Sequence, residues 1–266
     1  MLIAQITDMH LRAEGQLLFD RIDTGGYLER AVAHVLKLDP APDVVLMTGD
    51  LVEAGKPEEY ARLRRLIAPL KMPVYLIPGN HDAREPLRAA FADEGYFPEA
   101  GFLQYVVDDF PVRMIALDTL VEGKGHGEMC AERLGWLEAR LAESEKPTVV
   151  FMHHPPFDTG ITYFDGHKLN VGHERLAAIV GGHPQVERVM CGHVHRPIQV
   201  RFAGTVASTA PSTAHQATLN LHDGAPLTMM MEPPAIALHQ WQKHTGLVTH
   251  TSYIGEFDGP KPFRKM

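Results

Sequence analysis

An α/β fold is predicted for this chain of 266 residues, because two kinds of segment alternate along it. Short apolar runs rich in Val, Ile and Leu recur as far as about residue 195. Between them, apolar residues return at the spacing of an amphipathic helix. Short apolar runs suit strands buried on both faces, and their alternation with helices is typical of α/β proteins.

The predicted elements follow one another in a regular order. Strands are expected at residues 2–6, 44–47, 74–77, 114–117, 148–152 and 189–191. Helices are expected at residues 27–38, 58–70, 85–91, 131–141 and 174–180. Two later segments, 199–207 and 217–231, look like strands separated by turns, and we expect them to complete a second sheet. Residues 1–231 would therefore form one domain.

The end of the chain, residues 232–266, has a different character. Proline and glycine recur there and are expected to break any long element. We therefore predict a C-terminal extension that serves as a cap or as an oligomerisation arm. Trp241 would belong either to that contact or to the core. Residues 158–170, which contain Tyr163 and Phe164, would either line a pocket or cross the surface.

Charge and cysteine content exclude several classes of protein. The formal net charge of −8 argues against general binding to nucleic acid or to an anionic membrane, which requires clustered Lys and Arg. Cys130 and Cys191 lie far apart, so neither a disulfide framework nor a thiolate zinc site is predicted. The N-terminus lacks the features of a signal peptide, and no apolar stretch is long enough to span a bilayer. We expect a cytoplasmic protein.

Polar clusters follow five of the predicted strands directly. They are Asp8-Met9-His10, Gly49-Asp50, Gly79-Asn80-His81-Asp82, His153-His154 and Gly192-His193-Val194-His195. Ligands of α/β sheets bind beyond the carboxyl ends of the strands, so these five loops are expected to converge. Side chains alternate along an extended segment, so each Asp-x-His or His-x-His pair would point both members to one side.

The chemistry of these side chains points to metal ions. Carboxylate, amide and imidazole groups hold hard to borderline divalent cations. Seven such residues suffice for two ions if one carboxylate bridges them. Each motif alone is commonly a turn or a solvated pair, but their ordered occurrence after apolar strands favours a functional site.

The ordered series of motifs, which spans residues 8 to 195, resembles that of the calcineurin-like metallophosphoesterases. Within them it is most similar to the bacterial class III cyclic nucleotide phosphodiesterase and glycerophosphodiesterase group. The resemblance implies two mixed β-sheets packed as a sandwich and flanked by α-helices. It also implies a homodimer or a larger homo-oligomer.

The resemblance assigns a role to each matching residue. Asp8, His10 and His195 would bind the first metal, Asn80, His153 and His193 the second, and Asp50 would bridge them. Asp50 and His81 would be the catalytic residues, with His81 near the leaving group. Asn80, His81 and His154 would contact the substrate, and Asp82 would orient His81 or a neighbouring loop. His153 is preferred to His154 as the ligand because it lies two residues before Pro155.

These roles describe a binuclear metal-dependent phosphoric diester hydrolase. A hydroxide held at the metals would attack a cyclic nucleotide or a glycerophosphodiester, and His81 would stabilise charge on the leaving oxygen or protonate it. Four imidazoles favour Mn or Fe, with Zn or Co as alternatives, over Mg alone. The alternatives are a phosphomonoesterase, a nucleotide pyrophosphatase, and a non-catalytic scaffold of the same fold. A nucleic acid polymer is not expected as substrate.

Overall fold

Two mixed β-sheets form the centre of the structure, a computed structural model that describes residues 1–262. The strands of the first sheet are β1 (Leu2–Ile6), β2 (Val44–Thr48), β3 (Val74–Ile77), β14 (Ala235–Gln242) and β15 (Gly246–Tyr253). Those of the second are β4 (Tyr105–Val107), β5 (Arg113–Ala116), β7 (Thr148–Phe151), β9 (Val186–Cys191), β10 (Gln199–Phe202) and β11 (Thr205–Thr209). Two short pairs join β6 (Gly127–Glu128) to β8 (Leu169–Val171) and β12 (Gln216–Ala217) to β13 (Met229–Met230).

The parallel strands form the centre of the second sheet and one side of the first, where β3 is the edge strand. The orders are β15-β14-β1-β2-β3 and β10-β11-β9-β7-β5-β4. Strands β1, β2 and β3 run parallel, as do β5, β7, β9 and β11, whereas β14, β15, β4 and β10 pair antiparallel to their neighbours. The carboxyl ends of the parallel strands therefore point in one direction within each sheet. The predicted ligands lie in the loops that follow these ends.

Helices cover the outer faces of both sheets. They are α1 (Thr24–Leu36), α2 (Pro57–Ile67), α3 (Arg84–Ala90), α4 (Ala131–Ala142) and α6 (His173–Gly181), while the short α5 (Thr162–His167) packs in a separate small cluster. Buried residues of α1, α2 and α3 pack on the first sheet, and those of α4 and α6 pack on the second. A third cluster joins the inner faces of the two sheets. The layers are therefore helix, sheet, sheet and helix, as the sequence predicted.

Strand periodicity explains why the central strands are apolar throughout. In β2, Val44 and Leu46 face the second sheet, whereas Val45 and Met47 face the helices. In β7, Val149 and Phe151 face the first sheet and Val150 faces the helices. Because successive side chains point to opposite faces, a strand buried on both sides must be apolar at every position.

The segments after residue 198 differ in part from the prediction. Residues 199–209 form the hairpin of β10 and β11 and extend the second sheet, as expected. Residues 217–231 were wrongly predicted to do the same. Only β12 and β13 form there, and they pair with each other. The intervening His222-Asp223-Gly224-Ala225-Pro226 run contains turn residues that interrupt any longer strand.

The prediction that proline and glycine exclude a long element after residue 231 was wrong. Strands β14 and β15 have eight residues each and pair along their whole length. Pro233 and Pro234 precede the hairpin, and Gly246 begins its second strand with a φ of 76°. The turn residues therefore bound the two strands instead of interrupting them. Residues 263–266 of the predicted extension lie outside the described residues.

Strand β14 lies directly beside β1 and belongs to the first sheet. Trp241 on β14 packs against the cluster between the sheets, whereas Tyr253 at the end of β15 is exposed. An oligomer contact at the end of the chain stays a prediction. None of the helices within residues 1–262 combines the length and the apolar character that a bilayer crossing requires.

Candidate metal centre

The seven predicted ligands lie in loops that begin where β1, β2, β3, β7 and β9 end. Five of them have positive φ angles, namely Asp8 (55°), His10 (45°), Asp50 (45°), His193 (72°) and His195 (53°). Non-glycine residues rarely adopt this conformation, and it concentrates at functional sites. The backbone is therefore turned at these positions so that the side chains aim at one place.

This backbone corrects one step of the sequence interpretation. The members of each Asp-x-His or His-x-His pair do converge, but not because they alternate along an extended strand. Strand β1 ends at Ile6 and β9 ends at Cys191, so both pairs lie beyond the strands in left-handed turns. Hydrogen bonds from Asp8 N to Gly49 O (3.1 Å) and from His10 N to Asp50 O (3.0 Å) hold the first two loops side by side.

Asp50 lies at the middle of the group. Its Oδ2 is 3.5 Å from His10 Nε2 and 3.4 Å from His153 Nε2. Its Oδ1 accepts a hydrogen bond from His81 N at 2.9 Å. Asp8 lies on one side, with its Oδ1 3.5 Å from His195 Nε2. One carboxylate thus lies between two histidines from different sheets, which is the geometry that a bridging ligand requires.

Three of the histidines are held by one ring nitrogen and present the other. Nδ1 of His153 donates to Thr48 O (2.8 Å), and Nδ1 of His195 donates to His215 O (2.9 Å). Nδ1 of His10 lies 2.8 Å from Glu53 Oε2. A hydrogen bond at Nδ1 fixes the tautomer and leaves Nε2 free as a metal ligand. Nε2 of His10 and Nε2 of His195 then lie only 3.0 Å apart.

The donor set fits cations. His193 Nε2 is buried and has no hydrogen-bond partner among residues 1–262, and Asn80 Oδ1 lies 3.2 Å from His153 Nε2. Ligand atoms close enough to share an ion occur in the groups Asp8-His10-His195, Asp8-Asp50-His153 and His153-His154-His193. Buried carboxylates beside unpartnered imidazole nitrogens are costly unless a cation lies between them.

Burial and neighbouring charges lower the pKa values of three predicted ligands, as metal binding requires, whereas burial raises the pKa of Asp8 to about 6 and the pKa of buried His153, beside Asp50, is raised to about 9. Burial lowers the pKa of His195 to about 3 and that of His193 well below its usual range, so both imidazoles are neutral. Burial would raise the pKa of Asp50, but His153 and His81 hold it well below its usual value. Metal ligands must be deprotonated, and these three are.

A cavity of about 300 Å³ lies over the centre. His10, Asp50, Asn80, His193 and His195 form its polar floor, beside His81. Its apolar walls are Phe19, Tyr163, Phe164, Ala217, Leu227 and Met229. Residues 158–170 therefore do line a pocket, because α5 supplies two of its aromatic side chains. None of the lining residues within 1–262 is lysine or arginine.

His154 lies outside the group of described residues that line the cavity. It is fully buried, and its Nδ1 lies 2.8 Å from Thr119 Oγ1. The ring packs behind those of His153 and His193, at 4.8 and 4.7 Å between centroids. The predicted direct contact of His154 with substrate has no support in this geometry, because its partners shield it from the cavity.

Asp82 orients the neighbouring loops, as one of its two predicted roles proposed. Its carboxylate accepts hydrogen bonds from Gly79 N (2.8 Å), Leu51 N (3.1 Å) and Val52 N (3.3 Å) and from the Tyr60 hydroxyl (3.0 Å). The Asp82 carboxylate therefore connects the loop that carries Asn80 to the loop that carries Asp50 by hydrogen bonds. It makes no hydrogen bond with the His81 side chain among the described contacts.

Two residues of the cavity were missed by sequence reasoning. Glu53 contacts both His10 and His81, and His215 lines the cavity beside His195. Glu53 lies three positions after Asp50, so proximity in sequence offered a weak signal. His215 gives no such signal, because no repeated ligand spacing surrounds it in the sequence.

Comparisons with known proteins agree with this centre. The family model described as calcineurin-like phosphoesterase matches residues 1–197. The chain belongs to the calcineurin-like phosphoesterase family. The recognition made from the motifs is thus confirmed, and with it a centre for two divalent metal ions built from histidine and aspartate.

Relatives with assigned names extend the similarity over most of the chain. A protein of Arcobacter nitrofigilis named "Probable glycerophosphodiester phosphodiesterase GpdQ" is 40% identical over 264 residues, which are 99% of this chain and 97% of that protein. The glycerophosphodiester phosphodiesterase GpdQ of Enterobacter lignolyticus is 34% identical over 98% of this chain and 94% of its own length. The 3',5'-cyclic adenosine monophosphate phosphodiesterase CpdA of Escherichia coli K12 is 29% identical over 80% of this chain and 76% of its own length.

Solved structures share the fold at low sequence identity. A dimetal phosphatase from Danio rerio has a TM-score of 0.62 at 14% identity and covers 96% of this chain and 99% of its own. A purple acid phosphatase from yellow lupin has a TM-score of 0.67 at 17% identity and covers 94% of this chain and 51% of its own. These likenesses confirm the two-sheet fold predicted from the sequence.

Proposed function

We propose that this protein hydrolyses small phosphodiesters at a binuclear metal centre, with cyclic nucleotides and glycerophosphodiesters as the substrate classes. The observation that carries this proposal is the convergence of seven ligand side chains from both sheets on the floor of one cavity. Asp8, His10 and His195 would hold one ion, and Asn80, His153 and His193 the other, with Asp50 between them. Divalent cations held there would activate water, polarise the phosphoryl oxygens and orient an in-line displacement.

His81 is the residue best placed to serve the leaving group. Its side chain is 36% exposed and lines the cavity, and its Nδ1 is 3.1 Å from Glu53 O. Burial would lower its pKa, but Asp50 and Glu53 raise it to about 10. A protonated His81 would present Nε2–H to the departing oxygen and supply the proton that an alkoxide needs.

The charge of the cavity favours a diester over a monoester. A diester carries one negative charge, whereas a monoester or a pyrophosphate carries more. Beyond the two metal ions and His81, the described lining offers no lysine or arginine to neutralise the additional charge. The apolar walls suit an uncharged organic substituent. Glycerophosphodiesters are the first choice, because two proteins named GpdQ are similar over nearly all of this chain.

A substrate panel tests the proposal. Protein purified without chelator should carry transition metal, and we propose Mn or Fe in preference to Zn or Co. With added Mn²⁺, hydrolysis of a glycerophosphodiester or a cyclic nucleotide should exceed that of p-nitrophenyl phosphate by at least about tenfold. A preference for the monoester would favour the phosphomonoesterase alternative. If the protein hydrolyses none of these esters, the alternative of a non-catalytic scaffold would be favoured.

Two substitutions separate metal binding from catalysis. Asp50→Ala should lose nearly all turnover together with bound metal, because it removes the carboxylate between His10 and His153. His81→Ala should keep two metals and lose rate by about 10²–10⁴-fold, the usual contribution of a positioned proton donor. Metal analysis and kcat of both variants check this. A fully active His81→Ala protein would remove the role given to His81.

A cytoplasmic location and a homodimer or larger assembly stay predictions. Light scattering of the purified chain tests the second.

A further inference from the structure

Glu53 is an acidic residue that the assigned ligand set does not use. It lies in the loop after β2, and its side chain is only 19% exposed. Apart from Asp50, it is the one acidic residue among the described residues that line the cavity. A hydrogen bond from its own N to Leu11 O (3.1 Å) ties its backbone to the loop that carries Asp8 and His10.

A single oxygen of this carboxylate contacts two histidines. Glu53 Oε2 lies 2.8 Å from Nδ1 of His10 and 3.3 Å from Nδ1 of His81. The backbone carbonyl of Glu53 is 3.1 Å from the same nitrogen of His81. The two rings meet edge to face, with centroids 4.6 Å apart and an angle of 78° between their planes. Glu53 is therefore in contact with both rings at once.

The same contacts argue against Glu53 as a ligand of a separate ion. Its carboxylate, His10 and His81 are close enough to share one. However, Nδ1 of His81 is already hydrogen-bonded to the Glu53 carbonyl, and Nδ1 of His10 to the Glu53 carboxylate. A hydrogen-bonded Nδ1 instead leaves Nε2 of each ring to act elsewhere.

We propose that Glu53 is a positioning residue that couples the metal centre to the leaving-group site. It holds Nε2 of His10 toward Asp50 and His195, and it holds Nε2 of His81 toward the cavity. The role of Glu53 at His81 rests on the proposed function. The role of Glu53 at His10 concerns metal affinity, which can be measured even if the protein has no activity.

Two substitutions of Glu53 separate the effect of its side-chain length from the effect of its negative charge. Glu53→Gln keeps the length of the side chain and an acceptor oxygen but removes the charge. Glu53→Asp keeps the charge but withdraws the oxygen by one methylene, beyond hydrogen-bond distance of the two rings. Positioning predicts that Gln stays close to wild type and Asp does not, whereas an electrostatic role predicts the reverse. Glu58→Gln is the control, because Glu58 is an exposed acidic residue of the same segment.

Calorimetric titration of the metal-free protein with Mn²⁺ alone is the first measurement. Glu53→Asp should weaken one of two binding sites by about 10–100-fold, the usual effect of losing a partner of a ligating histidine. Glu53→Gln should weaken it less, and Glu58→Gln should bind as wild type does. Equal affinity of Glu53→Asp and wild type would overturn the role at His10.

Turnover of two diesters at saturating Mn²⁺ is the second measurement. Nitrophenolate leaves without a proton, whereas an alkoxide needs one. The kcat of Glu53→Asp should therefore fall at least about tenfold further on a glycerophosphodiester than on bis(p-nitrophenyl) phosphate. An equal fall on both esters would overturn the role at His81. Wild-type protein that binds Mn²⁺ but cleaves neither ester would contradict the proposed function, and the Mn²⁺ affinities alone would then decide on Glu53.

Discussion

Individual residues of the centre adopt conformations that a chain avoids elsewhere. Five of the seven predicted ligands have positive φ, and Gly49 precedes Asp50 with a φ of 90°. Such conformations cost free energy and persist only where the surrounding contacts enforce them. Here the contacts are the hydrogen bonds between the loops and those of the Asp82 carboxylate. The loops of the centre are therefore held by contacts within the protein itself.

The metal centre leaves no room for a side chain at residue 79, which is glycine. A Cβ atom at this position would collide with the backbone nitrogen and the carboxylate of Asp50 and with the His153 ring. Gly79→Ala should therefore destabilise the fold by about 1–3 kcal/mol, as overpacking does, and should weaken Mn²⁺ binding. Thermal unfolding and metal titration measure both effects.

Gly135 provides the matched control for that substitution. It lies within α4, and a Cβ atom there meets nothing within 4 Å. Gly135→Ala should raise stability by about 0.5–1 kcal/mol and leave Mn²⁺ binding unchanged, because alanine favours helix. Wild-type metal affinity in Gly79→Ala would show that the loops yield more easily than their contacts suggest.

At the scale of elements, the C-terminal hairpin completes the sheet that carries Asp8 and His10. Strand β14 pairs with β1 and buries Ala235, Ile236 and Ala237. His239 on β14 reaches Gln5 on β1, with 3.0 Å between Nε2 and Oε1. Gln5 in turn donates to Thr48 Oγ1 (3.0 Å) and Cys191 O (2.9 Å), so this buried network joins both sheets below the ligand loops.

Truncation tests this role of the hairpin. A chain that ends at residue 231 should lose cooperative thermal unfolding, because β1 becomes an edge strand and apolar surface is exposed. A chain that ends at Ile254 keeps both strands and loses only exposed described residues, so it should melt within a few degrees of the full chain. Calorimetry distinguishes the two. Cooperative melting of the shorter chain would show that the hairpin is an appendage.

At the scale of the whole molecule, buried histidines link stability to pH. Burial, assisted by Arg188, lowers the pKa of His239 to about 3, whereas an unfolded chain has the ordinary value of 6.5. Between these values the unfolded state binds a proton that the folded state does not. Stability is therefore lost as pH falls below about 6.5, by at most about 1.4 kcal/mol per pH unit for one group.

His239→Gln isolates this effect, since His239 is not among the predicted ligands. In chelator, the free energy of unfolding of the wild type should fall more steeply between pH 6 and pH 4 than that of the variant. The difference in slope should approach about 1.4 kcal/mol per pH unit. Denaturant unfolding at several pH values measures it. Parallel curves would mean that His239 takes up its proton in the folded state.

Local patterns in the sequence were sufficient to predict the central strands, the main helices and the types of metal ligand. Apolar runs such as Val44–Thr48 are buried on both faces, so their character is visible without knowledge of their neighbours. Asp50, Asn80 and His153 could be recognised because each follows such a run in a short motif. The same signals could not place the hairpin of β14 and β15, whose partner β1 lies more than 200 residues earlier in the chain.

Long-range contacts decided what the motifs left open. The exclusion of His154 from the cavity, the approach of His215 to His195 and the shared oxygen between His10 and His81 all depend on which loops meet. The sequence by itself determined an α/β fold with metal ligands beyond the carboxyl ends of its strands, because burial periodicity and ligand chemistry are local, and its motifs carried the resemblance that implied the two sheets. Only the tertiary structure decided which of the remaining polar residues line the cavity, because that follows from side chains brought together across both sheets.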